Sequence, residues 1–198
     1  MHIPNMIDLG HLPARQPGAG EGMLYVGQLE EQKGILTLLD AAAYVPRIPI
    51  TIVGDGPLYD TIRDRIAKEG MTHVTMTGRL SLDEVYAHMQ RARAMIVPSA
   101  GYDTFPTVAL EAGALGRPVI ASRIGGLPEI IVDEQTGILV TPQQPHALAE
   151  AMRSLAQHSD RAEQLGSAAV HHIRALVDPA RHIQRLLAVY QERMRRSQ

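Results

Sequence analysis

The sequence predicts an α/β fold, a Rossmann-like parallel sheet with helices on both faces. Short β-branched runs alternate with longer amphipathic stretches, and Gly27, Gly54 and Gly78 each follow one of these runs. Such alternation implies right-handed crossovers between parallel strands. Because the ligands of these sheets bind beyond the carboxyl ends of the strands, we expect the three glycine turns to meet at one crevice.

The elements follow in order along the 198 residues, a length that suits one domain with a substantial core. Residues 1–22 are rich in proline and glycine without sustained periodicity, which predicts a linker. The domain itself is predicted over 23–175, followed by a C-terminal helix over 176–198. Strands are predicted at 23–26, 50–53, 74–77, 94–97, 119–121 and 138–140. Helices are predicted at 34–44, 58–69, 82–91, 107–115, 146–157, 161–175 and 179–193.

Composition excludes several classes of function. The net charge of −2 is not that of a nucleic-acid-binding surface. The chain has no Cys, which excludes disulfides and thiolate metal sites and agrees with a reducing cytoplasm. No run approaches the ~20 apolar residues of a spanning helix, and the N-terminus lacks the pattern of a signal peptide. We therefore expect a cytoplasmic chain with no membrane segment and no nucleic-acid partner.

The most informative stretch is Y-D-T-F-P-T-V-A-L-E-A at 102–112. Asp103 is expected in a loop and Glu111 inside the next helix, with Pro106 at its first position and a neighbouring Thr as its cap. A helix start presents unpaired N–H groups and partial positive charge, which favour phosphate. Carboxylate oxygens accept hydrogen bonds from the hydroxyls of a ribose or hexose. The stretch therefore predicts a phosphorylated sugar as the ligand.

Two other turns carry candidate contacts. The segment G-Q-L-E-E-Q-K-G at 27–34 leads into a helix that Gly34 opens, and its Lys33 offers a compact charge to a diphosphate. Alternatively, Lys33 only lies solvated at the helix start. The segment G-D-G-P at 54–57 lies between a strand and a helix, so its glycines either let the backbone approach a ligand or form a tight turn.

Residues 102–121 resemble the signature of retaining glycosyltransferases of the GT-B type, family 4. That signature has two acidic residues with seven between them, then E-A and G-x-P-V. Asp103 stands where the family usually has Glu, and Pro106 where it often has Gly. The segment 27–34 is similar to the family's G-R-L and K-G elements, with Gln28 in the place of the Arg. Gln lacks the charge and rigid fork of Arg, which predicts weaker donor binding.

Further segments resemble the same family, over about 23–190. The segment 54–57 matches its G-x-G-P turn, and G-R-L at 78–80 stands where the family contacts the nucleotide base, largely through backbone. The segment 124–131 is similar to the G-G-x-P-E loop, whose glycines could admit a ligand. P-N-M-I-D at 4–8 resembles the element that marks the passage from the N-terminal to the C-terminal half.

The resemblance implies the donor-binding half of an enzyme that transfers a hexose from a nucleoside diphosphate sugar to a hydroxyl acceptor with retention. Lys33 would contact the diphosphate and stabilise it as it leaves, Asp103 would contact the sugar hydroxyls and Glu111 the ribose. None of the three is a general base. No cofactor or metal is expected, because GT-B enzymes generally work without one and the nine His lack zinc-site spacing. The expected donor-binding residues are Gly27, Gln28, Lys33, Gly54, Gly56, Arg79, Leu80, Asp103, Phe105, Pro106, Thr107, Val108 and Glu111.

Several alternatives stay open. The acceptor-binding N-terminal half would be missing from this chain, so the chain is either a part of an enzyme or a subunit completed by a partner. That missing half could also bring the enzyme to a membrane surface. A non-catalytic nucleotide-sugar-binding module is the alternative outside the enzymes, and an epimerase of GT-B architecture is a remote one. The donor base, UDP, GDP or ADP, is not distinguished.

Overall fold

The structure, a computed structural model, describes residues 8–18 and 20–196. Six parallel strands form one sheet in the order β3-β2-β1-β4-β5-β6. The predicted parallel α/β sheet is therefore confirmed, with β1 and β4 each beginning two residues before the predicted start. The strands are β1 (Glu21–Val26), β2 (Ile50–Val53), β3 (Val74–Gly78), β4 (Ala92–Val97), β5 (Val119–Ser122) and β6 (Gly137–Val140).

Helices connect the strands and cover both faces of the sheet. Two short 3-10 helices, Leu9–His11 and Glu31–Lys33, lie before β1 and between β1 and the first α-helix. The α-helices are α1 (Ile35–Ala42), α2 (Tyr59–Lys68), α3 (Leu82–Arg91), α4 (Thr107–Ala114), α5 (Leu127–Ile130), α6 (Pro145–Gln157), α7 (Ser159–Leu176) and α8 (Pro179–Arg196).

Hydrophobic side chains fill the space on both sides of the sheet. Met23 and Tyr25 of β1 belong to the core under α1, α2 and α6, whereas Leu24 between them belongs to the core under α3, α4, α5 and the end of α7. All three are buried, as expected when a parallel sheet has helices on both faces. Each fully buried Leu or Met contributes roughly 1.5–3 kcal/mol. The sheet is thus a rigid platform for the loops at its edge.

The segment before β1, predicted as a linker, lies against the domain. Arg117 is buried, 2% exposed, and its guanidinium donates hydrogen bonds to the carbonyls of Gln16 and Gly18. Arg15 pairs with Glu163 of α7. The linker prediction omitted these contacts because their partners lie about 100 positions or more further along the chain. The resemblance at 4–8 falls, apart from Asp8, outside the described residues.

The last helix, α8, exposes an apolar stripe. Ile183, Leu187, Tyr190 and Met194 are between 53% and 64% exposed and recur at helical spacing. The sequence predicted a helix over 179–193, but not that apolar side chains of this helix would face solvent. Within the part of the chain that the structure describes, none of the helices combines the length and apolarity needed to cross a bilayer.

Candidate functional site

A cavity of about 470 Å³ opens at the carboxyl ends of β1 and β4. These two strands are neighbours, but the chain builds β2 and β3 on one side before it returns to build β4 on the other. The crevice at such a switch point is where open α/β sheets bind ligands. The lining residues are Tyr25, Val26, Gly27, Gln28, Lys33, Leu82, Val85, Ile96, Val97, Ser99, Asp103, Phe105, Pro106, Thr107, Val108 and Glu111.

A second cavity, of about 330 Å³, adjoins the first and shares Val26, Gly27 and Gln28 with it. Small-molecule sites in proteins typically measure roughly 300–1,000 Å³, so the two together suit an extended ligand. The second cavity is lined by Val26, Gly27, Gln28, Val53, Gly54, Asp55, Arg79 and Leu80.

The structure brings together all but one of the residues predicted to bind a donor. The exception is Gly56, which lines neither cavity. A Cβ at this position would lie 2.7 Å from both the amide nitrogen and the carbonyl oxygen of Leu29. Gly56 is thus needed for the close approach of two loops, and its predicted contact with a ligand stays a prediction. Gly54 lines the second cavity, and its own Cβ would lie 1.9 Å from the Gly27 carbonyl oxygen, so close backbone packing and a place beside a cavity occur together in the G-D-G-P segment.

Lys33 and Asp103, which both line the first cavity, form an ion pair. The distance from Nζ to Oδ2 is 2.7 Å, and the side chains are 32% and 17% exposed. Lys33 ends the 3-10 helix that precedes α1, where Gly34 turns the backbone with φ 71°. A Cβ on Gly34 would lie 1.8 Å from the Pro98 carbonyl oxygen, so only glycine brings Lys33 so close to the loop after β4.

The loop that carries Asp103 rests on two glycines. A Cβ on Gly125 would lie 2.2 Å from the Asp103 carbonyl oxygen, and one on Gly126 would lie 2.0 Å from the Thr104 carbonyl oxygen. The Gly126 N–H also donates to the Asp103 carbonyl at 2.9 Å. The chain's own backbone therefore occupies the space that a side chain at either position would need, and the expectation that these glycines could admit a ligand stays a prediction.

Helix α4 points its first turn at the cavity and carries Glu111 one turn further in. Pro106 occupies the N-cap position and Thr107 is the first helical residue, so the predicted Pro at the first position with a Thr cap was wrong. Proline has no side-chain oxygen with which to cap the helix. The N–H groups at the start of α4 therefore have no side-chain partner from the N-cap residue and can bind a ligand. Glu111 is partly buried, and the loss of solvent raises the pKa of its carboxyl.

Tyr25 lines the first cavity and was not predicted from the sequence; it holds the loop that carries Gln28. Its hydroxyl donates to the Gln28 carbonyl at 2.7 Å. Burial, and then the negative charges of Glu30 and Asp103, raise the pKa of this hydroxyl, so it remains a donor. An aromatic residue two positions before Gly27 was the available signal, but an apolar strand position does not by itself distinguish core from cavity.

Both cavities are lined by basic and acidic side chains, with Lys33, Asp103 and Glu111 in the first and Asp55 and Arg79 in the second. Ser99 is 1% exposed, and its hydroxyl has no partner among the described residues. Within residues 8–18 and 20–196, no group of three or more His, Asp and Glu side chains is arranged to hold a metal ion. Chemically, the site can hold an anion near Lys33 and hydroxyl groups near the carboxylates.

Comparison with known proteins agrees with this geometry. The family model for glycosyl transferases group 1 matches residues 15–172. Glycogen synthase from Mycobacterium tuberculosis is 38% identical over 178 residues, which cover 84% of this chain and 42% of that protein.

Two solved structures share the fold. HepE from Anabaena, in complex with UDP, has a TM-score of 0.79 at 21% identity and covers 88% of this chain and 49% of its own. Sucrose-phosphate synthase from Thermosynechococcus elongatus has a TM-score of 0.76 at 29% identity and covers 89% of this chain and 46% of its own. The chain thus spans less than half the length of these relatives. By its match over most of its length, the chain belongs to the glycosyl transferases group 1 family.

Proposed function

We propose that this chain is the donor-binding part of a retaining glycosyltransferase that transfers a hexose from a nucleoside diphosphate sugar to a hydroxyl acceptor, without a metal ion. One observation carries the proposal. Lys33, Asp103, Glu111 and the first turn of α4 converge on one cavity at the switch point of the sheet. They combine a cation and helix N–H groups, which suit phosphate, with carboxylates, which suit sugar hydroxyls.

Each group has a distinct role in this proposal. The diphosphate lies between Lys33 and the first turn of α4, because both carry positive charge. Glu111, one turn into the helix, accepts hydrogen bonds from the ribose hydroxyls. The base lies in the adjoining cavity beside Arg79, and the hexose lies against Asp103.

The reaction breaks the bond between the anomeric carbon and the diphosphate oxygen and forms a bond from that carbon to the acceptor oxygen. Negative charge grows on the diphosphate as the bond breaks. Lys33 and the helix N–H groups are in place before the reaction, so they stabilise this charge without reorganisation. The leaving phosphate accepts the proton of the acceptor hydroxyl, which accounts for a site without a separate general base.

The acceptor site is proposed to lie outside this chain. The chain spans 42% of its glycogen synthase relative, and α8 presents an apolar stripe of Ile183, Leu187, Tyr190 and Met194 to solvent. An exposed stripe of this kind favours a further domain or a partner subunit that covers it. The prediction of a cytoplasmic location stays a prediction.

The test is calorimetric titration of the chain with UDP, GDP and ADP in the presence of EDTA. We expect micromolar binding, about −8 kcal/mol, of at least one nucleotide. Lys33→Ala and Glu111→Ala should abolish it. Lys68→Ala and Glu150→Ala are matched controls, since both side chains are exposed on helices α2 and α6 and neither lines a cavity.

Absence of binding for all three nucleotides, and also for UDP-glucose, GDP-mannose and ADP-glucose, would refute the proposed donor site. Binding that EDTA abolishes would refute only its metal independence. Retention is tested separately, by the anomeric configuration of the product once an acceptor domain or partner restores transfer.

A non-catalytic nucleotide-sugar-binding module is the second candidate. Gln28 favours it, because this neutral side chain lines both cavities where the family motif has an Arg. If Gln28→Arg brings no transfer activity to a chain that is completed by an acceptor domain and binds the donor, this candidate gains support.

A further inference from the structure

The ion pair between Lys33 and Asp103 is held in place from both sides. The Gln32 carbonyl accepts hydrogen bonds of 2.9 and 3.0 Å from two backbone N–H groups of the loop after β4. On the other side, the Gly126 N–H donates to the Asp103 carbonyl at 2.9 Å. Both backbones are therefore anchored where the two side chains meet at 2.7 Å. The fold therefore positions this pair.

In this pair, the Asp103 carboxylate binds the Lys33 ammonium, which is the cation that a diphosphate in this cavity would need. Lys33 is the basic side chain among the residues that line the first cavity, and the other charged ones are Asp103 and Glu111. A diphosphate that enters this cavity has to compete with the Asp103 carboxylate for the Lys33 ammonium. Partial burial strengthens this competition, since the pair is screened by solvent less than an exposed pair would be.

We propose that Asp103 determines specificity by competing for Lys33, so that the site favours an intact nucleotide sugar over the corresponding nucleoside diphosphate. This inference rests on the proposed function. When a hexose is attached, its hydroxyls donate hydrogen bonds to the Asp103 carboxylate and replace the ammonium as its partner. Lys33 is then free to bind the diphosphate. Without the hexose, Asp103 has no replacement partner, so the diphosphate has to compete with it for Lys33.

The same exchange assists product release. Transfer removes the hexose from the diphosphate, so Asp103 loses the hydroxyls that it had accepted. Its carboxylate returns to Lys33, and the nucleoside diphosphate loses a cationic contact. The ligand-free site thus resembles the state that follows product release, with the ion pair closed.

The test compares each nucleotide with its sugar conjugate by calorimetry on the whole chain. The probes are UDP and UDP-glucose, GDP and GDP-mannose, and ADP and ADP-glucose, and the pair that binds most tightly to the wild type is used. In Asp103→Asn, we expect the nucleoside diphosphate to bind about tenfold more tightly, while the nucleotide sugar does not gain. The preference for the sugar-bearing ligand therefore falls.

Asp40→Asn is the matched control. Asp40 pairs with Arg65 at 2.7 Å on the partly exposed surface between α1 and α2, outside both cavities. This variant removes the same charge from an ion pair of the same length, so it should change neither affinity by more than about twofold. Combining Lys33→Gln with Asp103→Asn should remove the gain, because the gain acts through the ammonium.

The outcomes separate this inference from the proposed function. If the wild type binds a nucleotide sugar and Asp103→Asn leaves the affinity for the nucleoside diphosphate unchanged, the inference is overturned and the proposed function stands. If no probe binds any variant, both are overturned. Thermal unfolding checks that Asp103→Asn is folded. Asp103→Ala, which also frees Lys33, takes its place in the same comparison if it is not.

Discussion

Gly126 supports the loop that carries Asp103, and Gly126→Ala tests that support. The glycine has φ −81°, a conformation that alanine adopts readily, so the substitution causes no backbone strain. Its Cβ, however, would lie 2.0 Å from the Thr104 carbonyl oxygen, far inside the 3.4 Å at which ordinary contact begins. Because the contacted atom is backbone, the Asp103 loop has to move.

The size of the effect follows from these contacts. Overpacking of a buried site costs about 1–3 kcal/mol, and the hydrogen bond from the Gly126 N–H to the Asp103 carbonyl contributes about 0.5–1.5 kcal/mol. We therefore expect a loss of about 1.5–4.5 kcal/mol in the free energy of unfolding. Displacement of Asp103 by about 1 Å should also weaken nucleotide-sugar binding at least about tenfold.

The assay is urea denaturation combined with calorimetric titration. Gly70→Ala is the control, because Gly70 has φ 61° but no atom lies within 4 Å of its added Cβ. This control should lose only about 1 kcal/mol, from backbone strain, and should bind ligand as the wild type does. A stability of Gly126→Ala within about 1 kcal/mol of the wild type, with unchanged affinity, would refute the reasoning.

Four further outcomes are expected. Tyr25→Phe should lose about 0.5–1.5 kcal/mol of unfolding free energy in urea denaturation, because the Gln28 carbonyl loses its donor. Arg117→Met should lose about 1–3 kcal/mol and speed amide hydrogen exchange over residues 14–18, because the carbonyls on that segment lose their partner. Glu111→Gln should raise the unfolding free energy at pH 7, and the difference from wild type should disappear below about pH 4. The sign follows because burial raises the pKa of the Glu111 carboxyl, so its ionised form destabilises the folded state above the ordinary pKa of a glutamate. Gln28→Arg should tighten nucleoside diphosphate binding about tenfold in calorimetry by adding a charged fork, and unchanged affinity would contradict the proposed place of the diphosphate.

The predicted elements were confirmed where a local signal was strong. All six strands were predicted from short β-branched runs, because side chains buried on both faces make a continuous apolar pattern. The predictions were wrong where contact with a distant segment of the chain sets the place at which a helix begins. Thr104 and Thr107 are ordinary capping residues, yet the chain enters α4 through Pro106, on a path set by contact with Gly125 and Gly126.

The candidate site was predictable in its residue types but not in its contacts. Turn residues at the strand ends indicated the edge of the sheet, and the 102–112 stretch indicated a phosphorylated sugar. Tyr25 was missed because alternation along β1 predicts which face a side chain is on, not what its hydroxyl meets. Gly56 lines neither cavity, and nothing in the sequence indicated that it packs against Leu29, because a glycine needed for close packing and a glycine that contacts a ligand look alike in a sequence.

The amino-acid sequence alone was sufficient for the fold class and the order of the elements, because these depend on hydrophobic period and turn chemistry within short windows. Most of the residues around the cavity were expected from the resemblance of their motifs to those of the family. Only the tertiary structure decided that Lys33 and Asp103, 70 positions apart, meet at 2.7 Å. It also decided that Arg117 holds the segment before β1. Such contacts depend on strand order and register, which place β1 beside β4. Local patterns do not carry that information, because they indicate which residues form a strand and not which other strand it pairs with.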